Sequence, residues 1–433
     1  MKIHTIFFTI CALGIFTLFT CNQNPLFYDI ATAPPPEKAL IGGTPTNMVV
    51  FERKGAMAMF TATDTRIFWY AKENNNDTDE ENWESQWNLD EYHTPDPEGR
   101  IVALAATSQH LYALCHTGGT GTILRRIGQT GDLWEDITIN AGDYTLLQTV
   151  YASSGKVFAG ARLNSRETED YAILYLDGTV LRILEAETSM LTGAASRLEN
   201  GALIHYFSTQ GSGIYQADDS TNTVTQLTEA EPDDPENPRN NRAFVGLILL
   251  PNNSGIIAVE RTGGNFFEVS TNGTFKPMVY KEDGEPVLTD GEPTPIQTAR
   301  YANGALAIWR NRTYQPPEPN GPAPYDATML IAGIQTGIVS ASYTYGYVEF
   351  DIDPVSGFLD ETSIRRDPGR LQTIPEDTQG AYSLTLGRHP VNHLFQAPLD
   401  VDNNMTFFAS TQSNGLWSLR NRPQTGIHWN AEN

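Results

Sequence analysis

The sequence predicts an all-β chain, and three observations carry that prediction. Short apolar stretches alternate with polar residues at period two, and Asn, Asp, Gly and Pro punctuate them as turns. A strand unit opening on glycine then recurs along most of the length. Few stretches carry a helical period; 185–198 is the best of them, and it reads equally as an outer strand and loop. The strongest copies of the unit are Gly155-Lys156-Val157-Phe158-Ala159, Gly201-Ala202-Leu203-Ile204-His205, Gly255-Ile256-Ile257-Ala258-Val259 and Gly304-Ala305-Leu306-Ala307-Ile308. They lie about 46 to 54 residues apart, the period of propeller blades. Earlier copies fit at 55–60 and 109–113, and a last one at 405–409. Each small sheet leaves apolar faces exposed until neighbours cover them, and closing a ring leaves only short, protected edges. The expected architecture is a single β-propeller over 47–433 with seven four-stranded blades.

Eight blades is the alternative count, because of one stretch. Residues 330–340 align with 408–418, yet they follow Gly304 too soon. Either 316–324 is a long loop inside blade six or an extra blade is packed there. First and last strands of such rings often share a blade, which would set 48–51 against the strands around Phe407 and Trp417.

At the amino end, Lys2 precedes an apolar run over 6–19 that is too short for a comfortable membrane span and closes on Leu18-Phe19-Thr20-Cys21. That ending resembles the lipobox of bacterial lipoproteins, in the permissive form found in spirochaetes. Thr20 and Phe19 depart from the small residue usual before the cysteine. The resemblance implies a signal peptide over 1–20, palmitate-type acylation of Cys21, and residence in the cell envelope, periplasmic or surface-exposed. Residues 21–46, with Pro34-Pro35-Pro36 and Gly42-Gly43, read as an extended tether. With 52 acidic against 28 basic residues the formal charge is -24. Nucleic acid is therefore an unsuitable partner, and anionic head groups repel the body, so the lipid on Cys21 must supply membrane attachment. Once Cys21 is acylated and Cys11 removed, Cys115 has no intramolecular partner and reads as a buried strand residue.

Several units resemble known propeller repeats. The stretch from Gly213-Ile214-Tyr215-Gln216 to Leu227-Thr228 is similar to repeats of the propeller in the Tol-Pal translocation system. Gly131-Asp132-Leu133-Trp134 and Gly426-Ile427-His428-Trp429 resemble the end of an Asp-box or quinoprotein-type blade, although Asn421 stands where the box has Asp. Those boxes pack turns and imply no chemistry. Sialidases share such a propeller, but the Phe-Arg-Ile-Pro segment is missing, and Arg53, Arg261 and Arg310 read as strand-end rim residues. Quinoprotein dehydrogenases usually bring vicinal cysteines, and Cys115 stands alone.

For metals, His389 and His393 have the spacing of a helical zinc site, but Pro390 between them favours a turn and no catalytic Glu follows. Asp400, Asp402 and Asn404 alternate like the start of a calcium loop, though Met405 stands where such a loop needs Gly. A structural calcium is the one metal expected there; no other cofactor is. The acidic stretch 229–236 reads as a solvated inter-blade loop that also suits divalent ions. For binding, Trp83 and Trp87 beside an acidic run, and Tyr314 and Tyr325 at the ends of a proline-rich loop, are the candidate contact residues. Outer-strand packing is the competing reading for the two tryptophans, and a tolerated insertion for the loop.

These readings converge on a lipid-anchored, non-enzymatic protein-binding or scaffolding propeller with no assigned catalytic residue. Its partner is expected in the envelope, by analogy with the propeller lipoprotein that serves outer-membrane barrel insertion. The alternative is a propeller that binds or hydrolyses extracellular glycans.

Overall fold

The computed structural model describes residues 41–71, 87–89, 99–117, 121–131, 133–165, 169–230, 240–282, 285–298, 302–314, 325–335, 345–353, 355–357, 359, 391–397, 407–412, 415–422 and 426–431. No helix among them is long and apolar enough to cross a membrane.

The strands form seven blades. Blade one holds β1 (Val49–Arg53), β2 (Ala56–Thr63), β3 (Arg66–Ala71) and β4 (Asn88–Leu89); blade two holds β5 (Arg100–Ala106), β6 (His110–His116), β7 (Thr122–Gly128) and β8 (Glu135–Asp136). The chain then lays β9 (Thr138–Asn140) on the outer edge of blade three, before β10 (Leu146–Ser153), β11 (Lys156–Arg162), β12 (Tyr171–Asp177) and β13 (Val180–Thr188). Blade four comprises β14 (Leu191–Glu199), β15 (Ala202–Thr209), β16 (Ile214–Asp218) and β17 (Val224–Gln226). An outer strand again comes first in blade five, as β18 (Thr228–Glu229), followed by β19 (Phe244–Leu249), β20 (Ile256–Glu260), β21 (Phe266–Val269) and β22 (Thr274–Pro277). Two small ribbons follow, β23 (Lys281–Glu282) with β24 (Glu285–Pro286) and β25 (Leu288–Thr289) with β26 (Glu292–Pro293). Blade six shows β27 (Ala302–Tyr314), β28 (Tyr325–Gln335) and β29 (Tyr345–Ile352), and blade seven β30 (Val391–Gln396), β31 (Phe407–Thr411), β32 (Gly415–Arg422) and β33 (Gly426–Ala431).

The consecutive strands of each blade form an antiparallel meander, to which β9 and β18 add in parallel on the outer edges of blades three and five. Turns after the first and third strands therefore gather at one rim, called here the near rim, and those after the second and fourth at the far rim. Second strands are covered on both faces, as the nearly continuous burial of β6, β11, β20 and β31 records. That double burial makes their sequences unbroken apolar runs, so they are the most visible repeat. The glycine opening each copy belongs to the preceding turn. Ser154 (φ 48) with Gly155 (φ 81), and Asn200 (φ 49) with Gly201 (φ 86), put both central residues at positive φ, the two-residue hairpin whose twist matches the strands. The stretch 185–198 is strand on both sides of a short break, in β13 and β14.

Gly304 is different, and it resolves the blade count. It lies inside β27, a first strand, so the copy beginning there is out of phase with the others. The true second strand of blade six is β28, which explains why 330–340 follow so soon and still align with 408–418. Residues 315–324 join β27 to β28 within one blade, and no eighth is needed. The glycine is required by close approach: at φ +83, an added Cβ would stand 2.5 Å from the Val245 carbonyl oxygen of blade five. Gly304→Ala is expected to cost about 2 kcal/mol or more, from backbone strain plus the clash. Gly201→Ala, at similar φ with nothing within 4 Å, should cost only the strain. Equal losses for both in denaturant melts would remove the close-approach argument.

Seven hydrophobic clusters fill the seven seams between neighbouring blades. The seam between blades seven and one holds Ile41, Met48, Met59 and Trp87 against Ala397, Phe408 and Leu416. Its closure corrects one expectation: no strand is shared, since β1–β4 and β30–β33 form separate sheets. Met48 does pack with Phe408, whereas Phe51 turns to the seam with blade two. Backbone contacts from the entering chain replace the shared strand. Gly415 N–H donates to Gly43 O at 3.0 Å and Leu416 N–H to Ile41 O at 3.1 Å, while the Ser410 hydroxyl donates to Pro45 O. On the other side Thr46 bonds Ala62 in both directions, and Asn47 exchanges two bonds with the backbone of Leu104 in blade two. Residues 41–46 are thus part of the folded ring rather than of a tether.

Candidate functional site

Three networks of buried charge lie on blades three to five, built from different strands. Within blade four, Ser196 on β14 and His205 on β15 are register partners, so their side chains share the face toward blade three. The Ser196 hydroxyl lies 2.6 Å from His205 Nδ1, and His205 Nε2 lies 3.0 Å from Asp219 Oδ1, just beyond β16. Lys156 at the start of β11 pairs with that same carboxylate at 3.0 Å, linking blades three and four. A carboxylate only accepts, so Nε2 carries the proton, Nδ1 accepts, and the serine hydroxyl donates. Phe158 covers the imidazole at 4.9 Å between ring centroids. Burial pushes the His205 pKa down, with Asp219 opposing; the His205 hydrogen bond in turn holds the Asp219 carboxyl low.

Nucleophile, base and orienting acid are the residue types of acyl-transfer catalysis. The enclosure changes what they do. Ser196 and His205 are each 3% exposed, so no substrate carbonyl reaches the hydroxyl, and the arrangement orders a proton inside a seam.

The opposite face of blade four carries the second network. Arg197 bonds Glu199 at 2.8 Å, the Tyr206 hydroxyl donates to the same carboxylate oxygen, and Arg197 reaches the Val269 carbonyl of blade five. Burial, then the Glu199 carboxylate, drives the Tyr206 pKa up, so the phenol stays a donor. The third network stands toward the far rim of blade five. Arg242 donates to Glu229 at 2.6 Å and to Glu260 at 2.9 Å, lies 5.0 Å over the Phe267 ring, and Asn265 donates to the other Glu260 oxygen at 2.6 Å. Burial opposes the Arg242 charge, and the two carboxylates outweigh it.

Of the residues singled out from sequence, Cys21, Trp83, Asp400, Asp402 and Asn404 lie outside the described residues. Trp87 is not an exposed anchor. It is buried between Tyr70, 5.8 Å away, and Phe408, which it meets edge-on at 5.9 Å, and so packs the seam between blades seven and one. Tyr314 and Tyr325 are brought together as register partners at the end of the β27–β28 hairpin. His393 sits on strand β30, not on a helix, and burial pushes its pKa down to about 4; His389 lies outside the described residues. No group of three metal-ligating side chains occurs among the described residues. Glu229, read as the start of a solvated acidic loop, is buried in an ion pair instead. Arg53 ends a first strand and Arg261 follows a second, so they stand at opposite rims and form no common cluster. Cys115 is buried.

The sequence does not flag the Ser196–His205–Asp219 relay, because its members come from three separate stretches that each read as strand or turn. Nor does it flag the blade-five network, since Glu229 reads there as the start of a solvated acidic loop.

No family model matches the chain, and no curated protein matches it. Among solved structures, it is similar to YCF48 from Cyanidioschyzon merolae, with 10% identity over 89% of this chain and 97% of that one, at a TM-score of 0.46. A streptogramin B lyase matches at 11% identity over 88% and 95% of the two chains, with a TM-score of 0.46. The virginiamycin B lyase from Staphylococcus aureus matches at 12% identity over 86% and 94%, also at 0.46. The seven blades stand on this chain's own sheets and seams.

Proposed function

We propose that this chain is a lipid-anchored propeller that works as a non-enzymatic protein-binding or scaffolding module in the cell envelope. The observation that supports it is the use made of buried chemistry. Arg197, Arg242 and His205, with their carboxylates, are engaged in holding strand to strand and blade to blade. What remains for a partner is the pair of rims. The far rim of blade five carries the β23–β26 ribbons, with exposed Glu282, Glu285, Glu292 and Leu288 standing clear of the sheet. A rigid ring with such outgrowths suits recognition of a folded surface with little ordering cost.

The anchor and the partner are tested separately. Palmitate labelling of the expressed protein is expected to disappear in Cys21→Ala; label that persists would return the chain to an ordinary secreted propeller. Crosslinking in native envelopes, followed by affinity isolation, is expected to recover a defined envelope protein, more weakly after deletion of 281–293. Recovery of lipid alone would end the scaffolding reading.

A further inference from the structure

We infer that the seam between blades three and four is an acid-sensitive latch: proton uptake by His205 leaves the enclosed Ser196 hydroxyl without an acceptor and loosens this seam before the rest of the ring.

The geometry sets the mechanism. In the neutral relay each hydrogen has one acceptor: Ser196 to Nδ1, and Nε2 to Asp219. A second imidazole proton sits on Nδ1, converting that nitrogen to a donor. Ser196 Oγ must then receive a hydrogen bond and turn its own proton elsewhere, and among the described residues its hydroxyl has no second partner. Stranding a buried donor is costly in a low-dielectric seam. The new positive charge also lies near Lys156, which already shares the Asp219 carboxylate.

The other groups facing this seam do not duplicate the effect. Asp218, at the end of β16, is held low by the Ser220 hydroxyl and amide, and Asp219 is held low by His205, so both stay charged until well below the range in question. Tyr151 and Tyr215 are pushed up by burial and stay protonated, and Tyr175 packs beside them. Glu185 on β13 is raised by burial, which makes it favour folding as pH falls, opposite to the latch. For His205 the sign is fixed by its lowered folded pKa. The unfolded chain binds the proton first, so stability is complete above the ordinary value of 6.5 and declines as pH drops below it.

Hydrogen exchange of the full chain at pH 7 and pH 5, corrected for intrinsic rates, tests this. Amides of β11, β14 and β15 are expected to lose protection, by up to about 25-fold for one site of this kind, while blades one and six hold. The two other histidines that burial lowers report separately, His110 in β6 and β7 and His393 in β30 and β31. His205→Gln, which keeps a donor for Asp219 but does not titrate, should abolish the pH response of this seam. Asp219→Asn, which keeps an acceptor at pH 7 but no charge to offset the imidazolium, should steepen it. Uniform loss across all blades, unchanged protection, or a pH response that survives His205→Gln would overturn the inference.

Discussion

Deleting everything after Asn414 is expected to abolish cooperative unfolding. The deletion takes β32 and β33, and with them Leu416 and Trp417, which are 0% and 1% exposed. Trp417 belongs to the seam between blades six and seven, and Leu416 to the seam between seven and one, so both flanks of the last blade are stripped at once. The acceptors Ile41 O and Gly43 O lose their donors in the same step. Truncating one buried aromatic side chain alone costs about 3–5 kcal/mol. The deletion removes both of these side chains and two of the four strands of the last blade, against a typical total stability of about 5–15 kcal/mol. Near-ultraviolet circular dichroism during a denaturant titration should replace a sharp transition with a shallow drift. An unchanged melting curve would mean that the ring does not depend on closure.

Arg242→Met should be the most damaging single substitution in the polar networks. Methionine keeps most of the stem that covers Phe267 but leaves Glu229 and Glu260, with side chains 3% and 13% exposed, as two buried carboxylates without their shared cation. Breaking a buried pair from one side costs about 3–5 kcal/mol, more than the pair itself contributes. The pH dependence identifies the cause. Burial and mutual repulsion raise the folded-state pKa of the orphaned carboxylates above their unfolded values, so the deficit is largest at neutral pH and shrinks as acid protonates them. Denaturant midpoints of both proteins at pH 7.5 and pH 5 check this. A loss below about 1 kcal/mol, or one that grows in acid, would assign the arginine no such role.

How much of this was legible in the residues follows from where burial is continuous. The second strands announce themselves because both of their faces are covered, and the hairpin glycines mark where each begins. The same signal misplaced blade six, since Gly304 is a glycine for contact with Val245 and not for a turn, and composition alone does not separate the two causes. Trp87 illustrates a second limit. An acidic, asparagine-rich neighbourhood suggests exposure, yet the ring supplies Phe408 from more than three hundred residues away to cover it. The relay through His205 was illegible for a related reason: Ser196, His205 and Asp219 share no motif, and only the pairing of β14 with β15 sets the first two side by side. Residues 41–46 looked like tether because glycine and proline carry no periodicity, whereas backbone hydrogen bonds, which need none, fix them in place.

The stitching at 41–47 also decides how the protein would bear force. Among the described residues, a chain held at its amino end takes tension first at Ile41, whose carbonyl is bonded to Leu416, and within six residues the strain has passed to Ala62 and Leu104. Three blades therefore share the load, and no single hairpin is peeled away. The junction where the circle is covalently open is thereby reinforced on both flanks, so a pulling experiment should show one cooperative rupture rather than stepwise peeling of strands.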